Sequence, residues 1–97
     1  MHDKFKIGVK PHREGGPAHI EYRKNGDVYR QKYYIDGKLH RVGGPAHIEF
    51  YRNKKICYES YFDAGKRHRE NGPAVIIYTE EGFIESEGYY EYGIKQK

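Results

Sequence analysis

A ten-residue string, His12-Arg13-Glu14-Gly15-Gly16-Pro17-Ala18-His19-Ile20-Glu21, returns almost unchanged from His40 to Glu49, and again from His68 as HRENGPAVII. The period is a constant 28 residues without insertion or deletion, which divides the chain into units 12–39, 40–67 and 68–95. Three units of this size are enough for a stacked array in which each buries its apolar face against the next. Such an array presents one surface three times over and has no single asymmetric pocket. One domain over residues 1–97 is expected, with residues 1–11 as a cap strand, because Phe5-Lys6-Ile7 precedes Lys10 much as Tyr33-Tyr34-Ile35 precedes Lys38.

Each unit reads as a β-hairpin. Ala18-His19-Ile20-Glu21-Tyr22 alternates apolar and polar residues as a half-buried strand does, Lys24-Asn25-Gly26-Asp27 signals a turn, and a second strand follows near Val28–Ile35. Alternation along that second strand sorts the aligned units into two faces. One collects Val28/Ile56/Ile84, Lys32/Ser60/Gly88 and Tyr34/Phe62/Tyr90; the other collects Tyr29/Cys57/Glu85, Gln31/Glu59/Glu87 and the invariant Tyr33/Tyr61/Tyr89. The first is expected to be the core, together with Ala18, Ile20, Tyr22 and their equivalents. Asp36-Gly37, Ala64-Gly65 and Tyr92-Gly93 read as punctuation between units, and the following Gly-Pro suits the entry to a strand. No segment has a helical apolar period. The fold class is therefore all-β: three tandem hairpin repeats making an elongated, twisted antiparallel sheet of six or seven strands.

Composition limits the core. Leu, Ile, Val and Phe account for only 18 of 97 residues, and eleven Tyr supply buried area while keeping a polar tip. The net charge of +4 is uneven: +2 over residues 1–11, +2 and +3 in units one and two, and −3 over residues 68–97. Such polarity steers an anionic partner to one end or joins molecules head to tail. With Cys57 alone there is no disulfide framework, and no stretch reads as a signal peptide or membrane span, so a reducing cytoplasm is expected, a host's cytoplasm if the chain is phage-encoded.

Chemistry finds little support in this pattern. Equivalent histidines in successive hairpins lie two strands apart, about 10 Å at ~4.8 Å per strand, too far to share an ion that binds nitrogen at about 2 Å. The invariant His12, His40 and His68 are better explained by a ring bonded to turn backbone, and no metal or cofactor is expected. Cys57 stands in a variable column and no catalytic constellation is present, so no catalytic residue is assigned and the chain is read as a non-enzyme. Nucleic-acid binding is the alternative: Arg13, Arg41, Arg52, Lys54 and Lys55 would meet phosphates and a Tyr33/Tyr61/Tyr89 ladder would stack on bases. The leading expectation is protein binding through Tyr33, Tyr61, Tyr89, His19 and His47, joined by Val75 and Ile77, which replace His19 and Glu21 in the third unit and read as an exposed apolar pair.

Tyr33-Tyr34 followed by Asp36-Gly37-Lys38-Leu39-His40-Arg41, with Ser86-Glu87-Gly88-Tyr89-Tyr90, resembles the core of MORN repeats. The likeness covers residues 12–95. It departs in its longer period, in Arg13/Arg41/Arg69 where the family has glycine after His, and in the added Gly-Pro-Ala. It is similar to the divergent MORN-like class of phages, giant viruses and bacterial antitoxin-like proteins. The resemblance implies a hairpin array used for association and no common catalytic residues. Its functional expectation is a non-catalytic module that inhibits or sequesters a partner protein, a phage or mobile-element inhibitor of a host defence complex. A homodimer is also expected, since one sheet leaves two edges and a face in water.

Overall fold

The computed structural model describes residues 6–9 and 17–96, and over them the chain is all-β. Its strands are β1 (Lys6–Val9), β2 (His19–Tyr22), β3 (Val28–Lys32), β4 (Tyr34–Ile35), β5 (Lys38–Leu39), β6 (His47–Phe50), β7 (Ile56–Ser60), β8 (Phe62–Asp63), β9 (Lys66–Arg67), β10 (Val75–Tyr78), β11 (Ile84–Gly88), β12 (Tyr90–Glu91) and β13 (Ile94–Lys95). Seven of them form one antiparallel sheet in the order β1-β2-β3-β6-β7-β10-β11. The three long hairpins β2–β3, β6–β7 and β10–β11 are the expected repeats.

Three further hairpins, β4–β5, β8–β9 and β12–β13, replace what the sequence reads as plain connections. Their loops are Asp36-Gly37, Ala64-Gly65 and Tyr92-Gly93, with φ of 52° and 78°, 50° and 89°, and 46° and 88°. Two successive left-handed residues make the turn whose twist matches a two-residue hairpin. Asp-Gly signals it; Ala-Gly and Tyr-Gly disguise it, because their first residue disfavours positive φ. Gly65 N–H donates to Leu39 O and Gly93 N–H to Arg67 O, both at 2.8 Å, so each short hairpin is tied to the one before it.

The register corrects the expected faces. Ile20 lies opposite Gln31, Gln31 opposite Ile48, Ile48 opposite Glu59, Glu59 opposite Ile76 and Ile76 opposite Glu87, one row across the sheet. The isoleucine column therefore shares a face with Gln31/Glu59/Glu87, and Lys32/Ser60/Gly88 lie on the other face beside His19, His47 and Val75. The cause is a bulge in each hairpin: the register shifts between Glu21 and Tyr22, so Tyr29 is an extra residue and Val28 falls opposite Tyr22. One such residue reverses the facing of everything on its far side.

The core is small and lies along this row and the alanines before it. Ala18, Ala46, Ala74, Ile48 and Ile76 are buried, Ala46 and Ala74 completely. The expected core residue Ile84 is instead 54% exposed. Ile48 and Ile76 are thus buried within a single chain, and Ile20 of the same row is half-buried. β1 pairs with β2 through Ile7–Glu21, Gly8–Ile20 and Val9–His19. Among the described residues β11 pairs with β10 alone and ends the sheet.

Candidate interaction surface

The invariant columns turn out to lock one unit to the next. The Arg41 guanidinium stacks 4.0 Å from the Tyr33 ring and donates to Pro45 O at 3.1 Å; Arg69 repeats this on Tyr61, with Pro73 O at 3.1 Å. An added Cβ on Gly44 would stand 2.9 Å from Arg41 Cζ, which explains why that glycine recurs as Gly72. The Ala64 N–H donates to His40 Nδ1 at 2.9 Å and the Tyr92 N–H to His68 Nδ1 at 3.1 Å, so these rings hold the left-handed residues of the short turns. Of the three tyrosines expected to bind a partner, Tyr33 and Tyr61 are thus capped by arginine, and only Tyr89 is exposed. Arg13 lies outside the described residues.

Variable columns build the opposite face. Arg30 sits between two carboxylates, donating from Nη1 to Glu21 Oε2 at 2.8 Å and from Nε to Glu49 Oε2 at 3.0 Å. His19 Nε2 reaches Glu21 at 3.3 Å and His47 Nε2 reaches Glu49 at 2.9 Å, which closes a network across β2, β3 and β6. Arg23 and Arg30 both lie 4.8 Å from the Tyr29 ring centre. Burial works to raise the Glu21 pKa, but hydrogen bonds and charge from Arg30 and His19 outweigh it and the carboxyl is held below its usual value. For His47 burial wins over Glu49, and its pKa is lowered. Sequence reasoning identified His19 and His47 but missed Arg30, Glu21 and Glu49. The available signal was a Glu in the same column of two units with a cation opposite.

In the third unit the same face changes character. Val75 and Ile77 take the places of His47 and Glu49, and lie opposite Ser60 and Tyr58 of β7. Arg67, from β9, donates to Ser60 Oγ and to Tyr58 OH at 3.2 Å each, and its guanidinium lies near the rings of Phe62 and Tyr90. A Cβ on Gly88 would stand 3.2 Å from the Tyr90 ring and 3.8 Å from Val75 Cβ, so Tyr90 lies over this corner. Val75 is accordingly half-buried, a correction to the expected exposed pair, while Ile77 is exposed. Phe83, Ile84, Tyr89, Tyr92 and Ile94 are exposed as well, so the third unit carries most of the large apolar side chains that the described residues leave in water.

The basic residues Arg52, Lys54 and Lys55 lie exposed on the β6–β7 turn. Lys55 Nζ donates to Glu81 O at 3.2 Å, Asn53 Nδ2 donates to Glu80 O at 3.0 Å, and Lys54 Nζ is 3.8 Å from Asp27. These hairpin tips are therefore bound to one another in a row. Among the described residues no group of three or more His, Cys, Asp or Glu could hold a metal ion. No family model matches the chain, and no curated protein or solved structure matches it.

Proposed function

We propose that this chain is a MORN-like hairpin array acting as a non-catalytic protein-binding module, which inhibits or sequesters its partner by occupying the partner's surface. The observation that carries this reading is the concentration of exposed Ile77, Phe83, Ile84, Tyr89, Tyr92 and Ile94 in one acidic terminal unit, set on a scaffold whose arginines and histidines are engaged internally. Exposed aromatic and branched side chains on an ordered sheet are the usual anchors of a protein interface. A phage or mobile-element inhibitor of a host defence complex is the setting that the MORN-like resemblance favours. Among the described residues no helix is long and apolar enough to cross a membrane.

The nucleic-acid alternative draws on exposed Arg52, Lys54 and Lys55. It is weakened by Arg41 and Arg69, which cover a face of Tyr33 and Tyr61 that a base would need. Affinity capture with the wild-type chain, Ile77→Lys and an Arg52/Lys54/Lys55→Ala triple variant separates the two. Loss of a specific, nuclease-resistant protein band with Ile77→Lys, at unchanged melting temperature, supports the protein reading. Nuclease-sensitive capture that falls steeply with salt and vanishes with the triple variant transfers the function to nucleic acid.

A further inference from the structure

We infer that the open edge of β11 is a docking site for β2 of a second copy of this chain, and that copies assemble head to tail by exchanging β1 for β11. The inference goes beyond the partner reading, and is separable from it because it rests on a strand edge and not on Ile77.

The sheet itself shows what covers such an edge. β3 and β7 are each flanked by the strand that opens the following unit: Gln31 faces Ile48, Tyr33 N–H donates to Ala46 O, Glu59 faces Ile76 and Tyr61 N–H donates to Ala74 O. β11 repeats that edge with Glu87 and Tyr89, and among the described residues no strand pairs with it there. The strand docked on β3 comes from Gly44-Pro45-Ala46-His47-Ile48-Glu49, and residues 16–21 are the same hexapeptide. Thus each chain carries both an acceptor edge that its described strands leave unpaired and the segment that fills such edges.

What now covers β2 is a stand-in. In the repeat register the residues beside Glu21, Ile20 and His19 would be those 28 positions before Arg30, Gln31 and Lys32, yet β1 places Ile7, Gly8 and Val9 there, five residues away. Gly8, opposite Ile20, offers no side chain to the row.

A variable column adds specificity. Tyr78 OH donates to Glu59 of the preceding unit at 2.6 Å, whereas Phe50, which has no hydroxyl, docks on the unit carrying Gln31. Hydroxyl and carboxylate occur together, and their absence coincides. Tyr22 has the hydroxyl and Glu87 the carboxylate, so a second copy's Tyr22 matches this edge. Charge agrees: Glu80 and Glu81 at the third tip would lie beside the tip of the incoming copy that carries exposed Lys24. Two β11 edges paired with each other would instead oppose Glu85 and Glu87 to the same residues, which like charge disfavours.

The contact is heterologous and leaves both ends open, so assemblies grow past the dimer. Sedimentation velocity over a hundredfold range of protein concentration should show the mean mass rising beyond two chains. Glu87→Lys, at an exposed edge position, should stay monomeric with an unchanged circular dichroism spectrum, and should shorten wild-type assemblies when mixed with them, since it keeps a functional head. Tyr22→Phe should weaken association about tenfold, the effect of one charge-assisted hydrogen bond. Ile77→Lys should associate like the wild type, whatever it does to partner capture. A monomeric mass at every concentration, or a dimer plateau indifferent to Glu87→Lys, would overturn the inference.

Discussion

On one face of the sheet, units one and two carry a closed ion network in which Arg30 joins Glu21 to Glu49 and two histidines flank the carboxylates. The same positions in unit three hold Val75 and Ile77, one tucked beside Tyr90 and the other open to water. The backbone register is the same in all three, so the contrast is chemical and not topological. Invariant Tyr, Arg, His, Gly and Pro clamp unit to unit, and the columns free to vary decide whether a stretch of sheet satisfies itself or stays available. Two units are self-satisfied, and the third is left with unpaired apolar side chains at an open edge.

The largest loss is expected from removing the centre of the network. Arg30→Met leaves Glu21, nearly buried, facing Glu49 with no cation between them, and should cost about 2–4 kcal/mol, discounted for partial exposure of the arginine. Thermal melting measures it. A loss below about 0.5 kcal/mol would mean that the network is incidental to stability.

Acid should act on the same two units. Because the folded-state pKa of His47 lies below 6.5, its contribution is complete above that pH and is lost as the pH falls toward the depressed value. Glu21, held below 4.5, contributes above that pH and loses its share as the pH falls through its folded value. Both effects have one sign, so the melting temperature should fall in two stages on acidification. In Arg30→Met the lower stage should shrink, because the charge that depresses Glu21 is gone.

The turn of the second unit also differs from the other two. Lys54 holds φ of 73° where the other two units have Gly26 and Gly82. Lys54→Gly should stabilise the chain by about 1 kcal/mol, several degrees in melting temperature for a chain of this size. The smallest effect is expected in the third unit, where Ile77→Lys should change stability by no more than about 0.5 kcal/mol. A large loss there would show Ile77 to be part of the core.

The long hairpins and the seven-stranded sheet were legible because a 28-residue repeat, strict alternation and Asn25-Gly26 all point to them. The face assignment was not, since the bulge at Tyr29 carries no glycine to announce it and alternation counted straight through it reverses every later residue. The short hairpins were hidden by strands of two residues, too brief for any period, and by Ala64 and Tyr92 at left-handed positions. Arg30 does not stand out in the sequence because the invariant columns serve the scaffold, whereas the network is built from positions that differ between units.

Three equivalent backbone amides test the account most directly. Tyr33 N–H donates to Ala46 O at 2.8 Å and Tyr61 N–H to Ala74 O at 2.7 Å, whereas Tyr89 follows β11, which is an edge strand among the described residues. Residue-resolved hydrogen exchange, in protein dilute enough to be monomeric, should find Tyr33 and Tyr61 strongly protected and Tyr89 exchanging close to the rate of an unstructured amide. Equal protection of Tyr61 and Tyr89 in that monomer would contradict the claim that the third unit ends in an open edge.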